Sequence, residues 1–116
     1  MTIDRLQQIW KAYLNAYGDV AADERERLLR QSVTDDVVFT GPNEDDKGLG
    51  KLVEHIGQFQ KQSPGARFES NKLLTQHGQL LSEWTLYKKD GAKIATGHTY
   101  ARFNEQGRLT HLAGFF

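Results

Sequence analysis

Cysteine is absent from all 116 residues, which excludes a disulfide framework, a thiolate nucleophile and a thiolate metal site. Only two prolines occur, and both sit in breaks, Gly41-Pro42 and Ser63-Pro64-Gly65. An excess of one charge is missing too: 15 Lys and Arg balance 15 Asp and Glu. With no basic surplus to draw a phosphate backbone, nucleic acid is not an expected partner. Near-zero net charge is poor for solubility, and fits burial of some surface in an oligomer. No apolar run approaches the ~18 residues of a membrane span. Met1-Thr2-Ile3-Asp4-Arg5 opens a helix rather than a leader peptide. The expectation is one soluble, cytoplasmic domain over residues 1–116, large enough to bury about two thirds of its unfolded surface.

What the chain does have is a β-rich C-terminal half. Ala92 to Phe103 and Arg108 to Phe116 flank the polar turn Asn104-Glu105-Gln106-Gly107, where Gly107 can take positive φ, so they read as a hairpin. Phe115 and Phe116 make the closing strand's tip so apolar that it is expected to be buried in a core or pocket wall. Upstream, Ala66 to Gln76 and Gln79 to Tyr87 form two further strands, with turns at His77-Gly78 and Lys89-Asp90-Gly91. Leu80, Ser82, Trp84 and Leu86 share one face of the second.

The first half is helical. Thr2 can cap a helix whose apolar stripe is Ile3, Leu6, Ile9, Trp10, Tyr13, Ala16 and Tyr17, ending at Gly18. Asp23-x-x-Glu26 resembles a capping box for a short charged helix to about Gln31. Val37-Val38-Phe39-Thr40 is a short strand, and Asn43 to Gly48 is a polar loop. A third helix runs from Leu49 to about Gln60, with Leu52, His55, Ile56 and Phe59 on one face. Helices first and antiparallel strands after them give an α+β fold. If strongly curved, the sheet would wrap the three helices into a cone with a cavity between.

Taken together, these pieces resemble the nuclear transport factor 2-like superfamily, in its SnoaL-like and ketosteroid-isomerase-like branch. The resemblance is carried by the Trp10/Tyr13 helix, Thr34 to Phe39 before Gly41-Pro42, the Trp84 strand, and Gly97-x-x-x-x-Arg102-Phe103 followed by Gly107-Arg108-Leu109. It implies a cone-shaped, cystatin-like α+β barrel, dimeric through the outer sheet face, with an apolar pocket for a hydrophobic small molecule and no cofactor. The superfamily hosts isomerases, cyclases, dehydratases, hydrolases and pure binders, so the fold does not name a reaction. Ketosteroid isomerases move a proton beside a carbonyl with a carboxylate base and two hydrogen-bond donors. By resemblance one donor falls on Tyr13, the base on Gly41, and the second donor on Thr99. Glycine cannot abstract a proton, and no Asp or Glu replaces Thr99. The true isomerase mechanism is therefore not expected.

The expected site pairs catalytic candidates Tyr13, His55 and Thr99 with binding residues Trp10, Tyr17, Phe39, Phe59, Trp84, Phe103 and Phe116. Each has an ordinary structural reading. Tyr13 and Tyr17 also suit a core with hydroxyls on a backbone carbonyl, and Trp10 and Trp84 suit plain walls. His55 lies on an apolar stripe, where an imidazole is a ready general base but more commonly a packed, hydrogen-bonded group. His98 faces outward if Thr99 faces in, beside Tyr100 and Arg102, while His77 lies at a turn and His111 has no assignable face. Glu83 points away from the pocket if Trp84 points into it. The histidines and the acidic run Glu44-Asp45-Asp46 lack metal-ligand spacing, so no metal is expected. An enzyme on a small apolar carbonyl or ring compound, a non-catalytic binding module and a dimerisation domain all remain compatible with these residues.

Overall fold

Thr2 Oγ1 accepts the Arg5 amide at 3.2 Å and starts helix α1 (Ile3–Asn15). The α1 stripe turns Leu6, Ile9, Trp10, Tyr13 and Leu14 inward. The computed structural model describes residues 2–116. Helix α2 (Ala22–Ser32) is capped at Ala21 and not by Asp23, whose carboxylate accepts the adjacent Glu24 amide instead. Its acidic first turn still suits the positive end of the helix. Arg25 turns inward from this turn. Its Nε donates to Ala16 O at 2.9 Å, and its Nη2 to Gly18 O and Val20 O at 3.1 and 3.3 Å. One guanidinium thus satisfies the carbonyls left over where α1 ends and closes the α1–α2 corner.

Strand β1 (Val33–Thr40) follows α2 with no linker and begins at Val33 rather than Val37. The Asp35-Asp36 pair lies exposed in an irregular stretch of it. The expected polar loop contains a short strand, β2 (Asp45–Lys47), antiparallel to β1. All three of its residues are exposed, and a charged, short edge strand needs no apolar face. Helix α3 (Leu49–Gln62) buries Leu49, Leu52 and Ile56. The meander follows as β3 (Arg67–Gln76), β4 (Gln79–Tyr87), β5 (Lys93–Phe103) and β6 (Leu109–Phe115). Its tight turn places both His77 and Gly78 at positive φ, the geometry a two-residue hairpin requires.

The sheet order is β2-β1-β6-β5-β4-β3. The meander is antiparallel as expected, but β1 runs parallel to β6, with Phe39 opposite Leu112, so the sheet is mixed and unclosed. Irregular register in β3–β4, β4–β5 and β5–β6 bends the strands around the helices. Leu80, Ser82 and Trp84 face the helices, while Leu81 and Glu83 face out, Glu83 lying 3.7 Å from the outward His98. His111, in register with Arg102, is also exposed.

Phe115 and Phe116 are 63% and 68% exposed, so the tip is not buried, although Phe116 still reaches the cavity wall beside Trp84. Strand β6 is interior and buries Leu109 and Leu112, but its inward row then reaches Gly114. Phe115 pairs with His98 on the outer face, and Phe116 lies beyond the strand.

Replacing Arg25 with Met should keep most of its packing volume while removing three hydrogen bonds, since Gly18 O keeps the Val20 amide but Ala16 O and Val20 O lose the guanidinium. The expected loss is about 2–4 kcal/mol, read as a lower urea midpoint with an unchanged denaturant slope.

Candidate functional site

The concave face of the sheet and helices α1 and α3 enclose a cavity of about 440 Å³. Aromatic rings form much of its wall. Tyr17 meets Phe59 and Phe68 edge-on at centroid distances of 5.6 and 5.1 Å, Phe68 meets Trp84 at 4.9 Å, and Trp84 meets Phe116 at 5.6 Å. These T-shaped contacts fix the rings against one another. Trp84 can lie flat across β5 only because its cross-strand neighbour is Gly97, where a Cβ would sit 2.5 Å from the indole.

Thr40, Asn43, Gln58 and Gln62 also reach the cavity lining, and three further places carry phenol, hydroxyl or carboxylate groups. Tyr13 and Tyr17, one helical turn apart, join hydroxyls at 2.9 Å. The Tyr17 carbonyl accepts Gln60 Nε2 at 2.7 Å, and the same amide group bonds Ala66 O and the Gly65 amide, so α3 holds the end of α1 in place. Burial, before any other cause, raises the pKa of Tyr13 well above the usual phenol value and that of Tyr17 to about 12, and the Glu44 carboxylate adds to both. Both phenols therefore stay protonated and act as donors. On the sheet floor, Thr99 Oγ1 accepts Trp84 Nε1 at 2.9 Å, leaving its own proton for a ligand.

The third place is Glu44, which sequence reasoning missed. It lines the cavity with its side chain only 21% exposed, and its Oε1 lies 3.6 Å from His55 Nε2. The His55 ring leans on Phe39 at a centroid distance of 5.8 Å. The signal was the Gly41-Pro42 turn, which returns residue 44 over residue 41. Tyr13, Tyr17, Phe39, His55, Phe59, Trp84, Thr99 and Phe116 all line this one cavity. Trp10 and Phe103 do not. Trp10 is buried one turn earlier on α1, stacked at 5.1 Å on Tyr13, and borders a separate cleft against β3. Phe103 lies past the cavity at the end of β5 and packs on the core. Among the described residues, no Lys or Arg lines the cavity.

No family model and no curated protein matches the sequence. Solved structures do. A structure named as an isomerase of the SnoaL-like family from Agrobacterium tumefaciens aligns with a TM-score of 0.88 at 22% identity over 97% of both chains. A SnoaL-like polyketide cyclase structure from Jannaschia sp. aligns at 0.76 and 10% identity, over 96% of this chain and 83% of that one. A de novo designed protein with a curved β-sheet also aligns at 0.76, with 12% identity, over 99% and 87%.

The chain has the SnoaL-like, nuclear transport factor 2-like fold. At these identities the likeness extends to the fold alone, and any chemistry of this cavity has to come from its own residues.

The phenols make a pH signature. Unfolded tyrosines ionise near ~10, whereas Tyr17 in the folded chain keeps its proton to about 12. Between these values the unfolded state binds fewer protons, so stability is full below the unfolded value and declines as pH rises toward the folded one. Urea unfolding across this window should show that decline, and Tyr17→Phe should make it shallower. An identical slope in the variant would contradict the burial of this phenol.

Proposed function

We propose that the cavity takes a small, uncharged, largely apolar carbonyl or ring compound and holds its oxygen on the Tyr13–Tyr17 hydroxyl pair. The activity would be of a cofactor-independent isomerase or cyclase type, not that of a true ketosteroid isomerase. The hydroxyl pair carries this reading. In the pair one hydroxyl donates to the other at 2.9 Å, which leaves one phenolic proton free for a ligand. A donor fixed in an apolar wall stabilises a developing negative oxygen more than the same donor in water. Among the described residues the cavity has no Lys or Arg to pair with an acidic ligand and already holds the Glu44 carboxylate, which favours a neutral one. Thr99 across the floor supplies a second hydroxyl, and Trp84, Phe39 and Phe59 supply flat contact surface. The similar structures named as an isomerase and a polyketide cyclase fit this class.

A second reading, a binding module for a hydrophobic small molecule, is favoured by Gly41 and Thr99, which stand where the resemblance would put acids. Both readings share the cavity and part on turnover. In either, two copies would associate through the outer sheet face, where Leu81, Ile94 and Phe115 are exposed. Light scattering on the eluting protein should give a dimer mass, and a monomer mass removes that part.

β-Naphthol, an aromatic ring bearing one oxygen, is a suitable probe, and tryptophan fluorescence reports its arrival beside Trp84. Binding should saturate, and Tyr13→Phe should weaken it about tenfold, the worth of roughly one hydrogen bond. Binding that is absent, or indifferent to Tyr13→Phe, removes the phenol-centred site.

A further inference from the structure

We propose that Glu44 is the proton-moving carboxylate of this cavity, seated in space that Gly41 leaves by having no side chain, an inference that rests on the cavity's being a carbonyl site. Gly41 to Glu44 form a tight reversal closed by the Gly41 amide donating to Glu44 O at 2.9 Å. The turn folds the Glu44 side chain back over Gly41. A Cβ built on Gly41 would lie 2.7 Å from Glu44 Cδ and nearer still to Oε1. The carboxylate therefore occupies the place where a side chain at 41 would begin.

A glutamate at a turn beside an edge strand is ordinarily solvated. Here it is mostly covered, faces two buried phenols and has an imidazole 3.6 Å away. Partial burial of a carboxylate costs stability unless it is paired. Glu44 and His55 also line an open cleft on their other side, with Asp46 from β2 and Lys51, Glu54 and Lys61 from α3. The pair stands in the partition between the enclosed cavity and water. Toward the cavity the titratable neighbours are Tyr13 and Tyr17, both held protonated.

The step is balanced without a co-reactant. Glu44 takes a proton from the carbon next to the ligand carbonyl. The C–H electron pair becomes the C=C of an enolate, and the negative charge moves to the oxygen held by the tyrosine hydroxyls. Glu44 then returns the proton to the same carbon, or to a conjugated one, which is isomerisation. His55 is a positioning residue: it orients Oε1 and lets the carboxyl proton exchange with the outer cleft.

That exchange is the assay. β-Tetralone has acidic hydrogens beside its carbonyl, and in deuterium oxide proton NMR follows their replacement. The full chain should accelerate exchange saturably over buffer. Glu44→Gln should slow it on the order of a hundredfold or more with β-naphthol affinity retained. Gly41→Ala keeps the carboxylate but displaces it, and should slow exchange similarly; circular dichroism melts check that both variants fold. His55→Gln should lose less and alter the pH profile, and an unchanged profile removes the histidine's part. Wild-type protein that binds β-naphthol without accelerating exchange, or Glu44→Gln exchanging at the wild-type rate, overturns the proposal and leaves the cavity reading standing. Failure of β-naphthol to bind at all ends both.

Discussion

A sheet bent this strongly leaves a hollow that its helices do not fill, and Tyr17 determines what that hollow becomes. Its ring meets Tyr13, Phe59 and Phe68 edge-on, its carbonyl is held by Gln60 from α3, and its hydroxyl is held by Tyr13. One residue at the end of α1 therefore ties together both long helices and the first strand of the meander. Each aromatic pair adds about 0.5–1.5 kcal/mol beyond its buried area, so the cluster keeps its geometry without anything in the cavity. A flexible aliphatic wall would tend to collapse into the space. Stiff rings braced against one another keep it open.

The same packing sets the electrostatics. Burial deprives the phenols of water, so they hold their protons through the whole neutral range and remain donors. Glu44 reinforces this by disfavouring a second negative charge nearby. The result sets three kinds of group on one concave surface: protonated hydroxyls, a partly buried carboxylate and aromatic faces. Outside the partition, charges of both signs surround His55 in solvent-accessible positions, where screening leaves them little influence on the interior.

Much of this was legible beforehand, for identifiable reasons. The α1 stripe, the α3 face and the alternation of β4 are periodic, and periodicity survives without knowledge of partners. The hairpin turns carried their own chemistry, with Gly107 at φ 81° and Gly91 at φ 90°. What escaped was long-range or nearly so. That β1 lies parallel to β6 depends on a pairing some 70 residues apart in sequence, and no local signal encodes it. Strand β2 has no hydrophobic pattern, because it is a fully exposed edge strand paired to β1. The exposed Phe115 defeated a composition argument: apolarity says that burial is favourable, and it cannot say that the inward position of the row is Gly114, while Phe116 reaches the cavity wall yet stays largely exposed. Trp10 and Phe103 were read as cavity walls from residue type alone, although each lies about one turn or one strand step too far along its element.

Glu44 shows a deeper limit of reading sites by register. Comparing position with position along a chain asks which residue stands at 41, and glycine there argues for the loss of a base. Space asks a different question. A turn closed between residues 41 and 44 brings the second side chain over the first backbone, and a residue without a Cβ permits the overlap. A carboxylate can therefore leave one position of the sequence and still occupy nearly the same volume from another. The glutamate side chain does this by reaching back across the turn. The designed curved-sheet protein shares the scaffold, so the scaffold alone specifies no chemistry. What distinguishes this chain is which atoms its loops return to the hollow.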